Sequence, residues 1–202
     1  MPYSYDYFKK EIRQHFKKNI STESRILDVG PGSGTYAKLL NPLGFQLDCV
    51  EVWEPYIQQF GLNDLYRKVI LGNIMTTNFT NYDYLILGDI LEHLSTNDAI
   101  KLLESINSQK IKCLIAVPYL YEQDSFEGNK FEIHLQPDLT PEIVLKRYKS
   151  LKLLYRNESY GYYTNYYEWS KFSKFKYNTY NLLATLIHKV IFKIKHYIKN
   201  IN

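Results

Sequence analysis

An α/β protein with an open, mostly parallel sheet is the fold this sequence predicts, and three observations carry it. Short apolar runs alternate with helical patterns along most of the chain. Each run ends in a polar, glycine-rich or aromatic cluster. The last two runs lie close enough to pair as a hairpin, which closes the sheet with an antiparallel strand.

The first strand and its turn organise the rest. Ile26, Leu27 and Val29 form an apolar run suited to a central strand covered on both faces. Gly30, Gly32 and Gly34 follow, and Pro31 stiffens the turn between them. Thr35 to Leu40 then read as a helix, whose free N–H groups and partial positive charge face the strand's carboxyl end. The spacing is G-x-G-x-G. A dinucleotide turn needs a third glycine where Thr35 stands, which argues against an NAD(P) dehydrogenase.

The other elements follow in order. Residues 3–19 carry Tyr5, Phe8, Ile12 and Phe16 on one stripe, an amphipathic helix. Strands are expected at 46–52, 66–71, 82–87 and 111–117. Pro55 starts a helix that runs to about Phe60, and 96–106 is a helix capped by Thr96 or Asn97. A long connection spans 119–139, within which 129–136 alternates as a small strand or lid. Pro141 to Tyr148 form a helix, and Leu151–Tyr155 and Tyr160–Tyr167 the hairpin.

The 202 residues suit one domain at 1–168, with enough chain for a sizeable core. A tail, 169–202, follows. The net charge of +4 hides an asymmetry. Seven of the 25 basic residues follow Glu168, where no acid occurs, and the 18 before them face 21 acids. The body is mildly acidic, so nucleic-acid binding by the core is not expected. In the tail, Leu183, Ile187, Val190, Ile194, Tyr197 and Ile201 recur at helical spacing against Lys189, Lys193 and Lys199. Such a helix suits packing on its own body, a second subunit, or an anionic membrane surface. No signal peptide and no spanning run of about 18 apolar residues stand out. Cys49 and Cys113 fall in apolar strands and suit core packing, which fits a reducing cytoplasm.

In wound sheets, ligands gather at the carboxyl ends of strands. Here those ends are Asp28 to Gly34, Glu51 to Trp53, Asn73-Ile74, Asp89 to His93, and Pro118 to Tyr121.

Taken together, LDVGPGSG at 27–34, VEVW at 50–53, GNI at 72–74 and YDYLILGDILEHL at 82–94 resemble the successive motifs of class I S-adenosylmethionine (SAM)-dependent methyltransferases. The resemblance covers roughly residues 20–165. It implies a Rossmann-like seven-stranded sheet with helices on both faces and the last strand antiparallel, followed here by the C-terminal amphipathic helix. Strands two and five then lie apart, so Cys49 and Cys113 stay unbonded.

The resemblance also implies roles. Gly30, Pro31, Gly32 and Gly34 pass under the methionine part of SAM. Asp28 orients that loop or the ammonium. Glu51 accepts both ribose hydroxyls, Val52 and Trp53 pack on adenine or ribose, and Asn73 with Ile74 meets the adenine. Many family members carry Asp where Asn73 stands. Asp89 faces the amino-acid end of the cofactor or the acceptor.

The product is S-adenosylhomocysteine (SAH), and the chemistry is an in-line displacement that asks chiefly for placement and exclusion of water. An O or N acceptor also needs a base. His134 is the first choice, with Asp89 and His93 as other catalytic candidates. Tyr119, Tyr121, Glu122, Asp124 and His134 are the substrate-side candidates, and Glu127 and Glu132 extend the list. Their acidity favours a small polar or amine-bearing acceptor, a sugar or glycan precursor among them. The alternative is a non-catalytic module that keeps the same fold. No metal site is expected.

Overall fold

A computed structural model describes residues 6–166. The expected tail at 169–202 and Tyr5 lie outside the described residues.

The chain runs α1 (Lys9–Asn19), β1 (Ile26–Val29), α2 (Thr35–Leu40), β2 (Leu47–Glu51), α3 (Glu54–Gln59), α4 (Leu62–Leu65), β3 (Lys68–Leu71), β4 (Tyr84–Gly88), α5 (Thr96–Ser108), β5 (Lys112–Pro118), α6 (Pro141–Arg147), β6 (Lys152–Arg156) and β7 (Tyr160–Thr164). The seven strands form one sheet in the order β3-β2-β1-β4-β5-β7-β6. Every neighbouring pair is parallel except those made by β7, which runs antiparallel to β5 and β6. The seven strands and the closing hairpin are those the sequence predicts. β2 and β5 are separated by β1 and β4, and Cys49 and Cys113 are buried and unbonded.

The core lies on both faces because β1, β4 and β5 are apolar at odd and even positions alike. Leu27, Val29, Leu85, Leu87, Cys113, Ile115 and Val117 point to one face, under Leu102, Leu103 and Ile106 of α5 and Val144 of α6. Ile26, Tyr84, Ile86, Leu114 and Ala116 point to the other, under Ile12 and Phe16 of α1 and Tyr36, Ala37 and Leu40 of α2.

Three local expectations change. Helix α1 begins at Lys9 because Phe8 is left-handed, at φ 58°, which ends the helical run there. The cap of α5 is Ser95, one residue before the expected pair. Its Oγ accepts from the Asp98 N–H at 3.1 Å and donates to the Asp98 carboxylate at 2.7 Å, so one serine serves the first turn both ways. The 129–136 segment is not a strand. It holds a single 3₁₀ turn, Lys130–Glu132, opened by Asn129, whose side chain accepts from the Phe131 N–H.

Phe16 ties α1 to the sheet. It is fully buried and meets Tyr84 at 5.1 Å and Phe45 at 5.7 Å between ring centroids, both edge-on. Phe16→Ala should destabilise the protein by about 3–5 kcal/mol in urea titration, since the cavity lies between two rings with little freedom to collapse. A loss below about 1 kcal/mol would mean that α1 is not part of the folded core.

Candidate functional site

A cleft opens at the carboxyl ends of β1, β2, β3 and β4. It encloses about 850 Å³, its open mouth included. Its floor is the turn after β1. Gly30 stands at φ +58°, and a Cβ there would lie 2.5 Å from Ile90 Cδ1. Only glycine meets both demands. The Gly30 N–H donates to Val50 O at 2.8 Å, which holds the turn against β2.

Glu51 ends β2 and lines the cleft. It is 3% exposed, and its Oε1 accepts from the Trp53 N–H at 2.8 Å. Burial raises its carboxyl to about 7. Val52, Asn73 and Ile74 form the neighbouring wall. Asn73 also works as a turn residue: its Oδ1 accepts from the Met75 N–H at 2.9 Å.

Asp89 and His93 line the wall beyond β4. Asp89 is left-handed, at φ 58°, and its Oδ1 accepts from the Tyr160 hydroxyl at 2.5 Å. The insertion covers this end. Asn129, Phe131 and Glu132 line the cleft, and Glu132 accepts from the Tyr56 hydroxyl at 3.2 Å. A strap, 133–136, fixes the insertion to the loop after β4. The Leu135 and Gln136 N–H groups both donate to Glu92 O, at 2.7 and 3.0 Å. The Gln136 amide donates to Leu91 O and Leu94 O, at 2.7 and 3.0 Å.

Thus Gly30, Pro31, Gly32, Glu51, Val52, Asn73, Ile74, Asp89 and His93 line one cleft. Several candidates stand elsewhere. Asp28 alternates to the opposite face of β1, where it is 1% exposed and accepts from Tyr66 Oη at 2.5 Å. Gly34 is past the turn, packed at Leu65. Trp53 is half-buried at the start of α3 and does not line the cleft.

Tyr119 continues the alternation of β5 into the core and shares a 2.6 Å hydrogen bond with Tyr163. A role in binding substrate is therefore withdrawn. Glu122 and Asp124 are exposed on the outer side of the insertion. Tyr121 and His134 do not line the cleft. They form a second layer behind His93, with rings edge-on at 5.3 Å, and His93 and His134 are 4.6 Å apart. Burial lowers His93 to about 4 and lowers His134 as well, so both rings are neutral at pH 7.

Tyr56, Asn129 and Phe131 were not singled out by the sequence reading. Tyr56 follows Glu51 by little more than a helical turn, a signal that helix α3 brings it back over the strand end.

No family model matches the sequence, and no curated protein does either. Solved structures do match in shape. A SAM-dependent methyltransferase from Clostridium acetobutylicum aligns over 79% of this chain and 91% of its own, with a TM-score of 0.57 at 13% identity. The CcbJ methyltransferase from Streptomyces caelestis aligns over 78% and 88%, with a TM-score of 0.58 at 14% identity. This chain has the class I SAM-dependent methyltransferase fold. Human N-acetylserotonin methyltransferase, solved with SAM, gives 0.57 at 16% identity over 78% of this chain and 51% of its own. The fold is therefore shared across proteins whose sequences have diverged almost completely.

Burial also raises Asp28 to about 7, from 3.8. The folded state then holds a proton that the unfolded chain has lost, so stability falls as pH rises from about 4 to 7 and is flat above. Asp28→Asn should remove its own part of that slope, leaving the part that Glu51, also raised to about 7, contributes, and raise the melting temperature at pH 8. Thermal melts of both proteins across pH 4–8 check it, and an unchanged slope would exclude Asp28 as a source.

Proposed function

We propose that the protein binds SAM in this cleft and transfers its methyl group to an O or N atom of a small polar acceptor. One observation carries the reading: a buried carboxylate ending β2 and a left-handed glycine turn ending β1 open into the same cleft. The fold supports it.

Glu51 accepts the two ribose hydroxyls, and its low exposure strengthens both bonds. Val52 and Ile74 pack against the adenine, beside Asn73. The Gly30–Gly32 backbone lies under the methionine portion. Asp89, on the other side of β1, receives the ammonium or the acceptor, and its bond to Tyr160 fixes its rotamer. When bound, SAM supplies a sulfonium-activated methyl group. The chain's own part is to hold the acceptor atom in line and exclude water, which the insertion does through Asn129, Phe131 and Glu132. His93, with a neutral ring, and His134 behind it stand beyond β4, where the reading from sequence sought the base.

Sugars and glycan precursors suit Asn129 and Glu132, the polar residues of the insertion that line the cleft. A cytoplasmic setting fits as well. Among the described residues no helix is long and apolar enough to cross a membrane.

Calorimetric titration with SAM, SAH and NAD tests the reading. SAM and SAH should bind at roughly micromolar concentration and NAD should not. Indifference to SAM at millimolar levels would overturn the proposal. Binding without transfer to any acceptor would favour a non-catalytic module. Glu51→Gln should weaken SAM binding by roughly ten- to a hundredfold, the loss expected for one charge-assisted bond. Because the carboxylate is the accepting form and its value lies near 7, SAM should bind about tenfold more weakly at pH 6 than at pH 8. Glu51→Gln should abolish that dependence.

A further inference from the structure

The geometry points to a second ligand in the wall of the cleft beyond β4: a single divalent transition-metal ion of the zinc class, held by Glu92, His93 and His134. One donor atom from each of the three lies within 4.8 Å of the others. Donors around a tetrahedral ion with bonds of about 2.1 Å sit roughly 3.4 Å apart, so shifts of about an ångström complete the set.

Three independent features prepare these side chains as ligands. The Glu92 carboxylate is 1% exposed, and neither of its oxygens has a hydrogen-bond partner among the described residues. Burial pushes the Glu92 carboxyl well above its ordinary range, so unliganded it holds a proton, which a cation shared with the two imidazoles would displace. Both imidazoles are oriented from behind. His93 Nδ1 lies 3.2 Å from Ile133 O and His134 Nδ1 lies 2.7 Å from Tyr121 O. Each Nδ1–H then donates to a carbonyl, which leaves the Nε2 lone pair for a metal, the usual outer support of a metal-bound histidine. Finally, the elements that carry the three residues are locked to each other. The Leu135 and Gln136 N–H bonds to Glu92 O bring His134, far along the chain, against the Glu92-His93 pair.

Two imidazoles and one carboxylate form a donor set that suits zinc better than magnesium, which prefers oxygen. Three protein ligands leave one position open. His93 is the one of the three that lines the cleft, with Glu92 and His134 behind it, so the ion would sit in the wall beyond β4. An acceptor hydroxyl taking the open position would lose its proton more readily. That role rests on the methyl-transfer reading. The binding of the ion does not.

The test uses the full chain, dialysed against a chelator and titrated with zinc chloride by calorimetry. One equivalent should bind at submicromolar concentration, and magnesium chloride at least roughly a hundredfold more weakly. Glu92→Gln and His134→Ala should each weaken zinc binding by roughly a hundredfold or more, beyond what losing an outer partner brings. Far-UV circular dichroism checks that each variant folds. If Glu92→Gln does not fold, His134→Ala carries the test, since His134 is only partly buried. Glu51→Gln should keep zinc while binding SAM roughly ten- to a hundredfold more weakly. No binding at roughly 100 μM zinc would overturn the inference. So would magnesium binding as tightly as zinc, or zinc binding unchanged in both ligand variants. SAM titrated into the metal-free protein reads the cofactor proposal separately, so either can fail alone.

Discussion

The carboxyl edge of this sheet depends on a backbone that turns left-handed three times in five residues, at Gly30, Gly32 and Gly34. Helix α2 must start close to the end of β1 if Tyr36 and Leu40 are to reach the core on one face. A gradual loop would fill the space above the strand. The tight turn keeps that space clear, and Ile90, approaching from the neighbouring connection, leaves no room for a side chain at Gly30. The cleft is thus a by-product of packing α2 and the loop after β4 against the same strand.

Around that opening the strands distribute chemistry by their order. β2 delivers Glu51 on one flank of β1, and β4 delivers Asp89 and His93 on the other. Burial acts differently on the two flanks. It lifts the Glu51 carboxyl into the range where physiological pH governs its charge, and it keeps the two histidines neutral. One side is suited to accept hydrogen bonds and the other to offer lone pairs.

The sheet and the strand-end walls of the cleft were legible in the sequence because they rest on local signals. Apolar runs give the strands, and each strand end gives one patch of the cleft. What was not legible depends on which face a residue takes or on distant backbone bonds. Asp28 sits beside Val29 in sequence but points to the far face of β1. Tyr119 keeps the rhythm of β5 and is drawn into the core beside Tyr163. The alternation at 129–136 resembles a strand, yet its N–H groups bond to Glu92 O and to a local turn. No spacing rule joins His134 to Glu92. The strap does, and it is a tertiary feature.

That strap is held by main-chain bonds to Glu92 O, by the Gln136 amide, and by the His93 and His134 rings on Ile133 O and Tyr121 O. Its grip on the loop after β4 is therefore indifferent to most of the side chains between Tyr121 and Phe131. The exposed Glu122, Asp124 and Glu127 can therefore change without breaking those bonds, whereas Gln123, which donates to Glu132, and Asn129, which opens the 3₁₀ turn, are tied into the insertion itself.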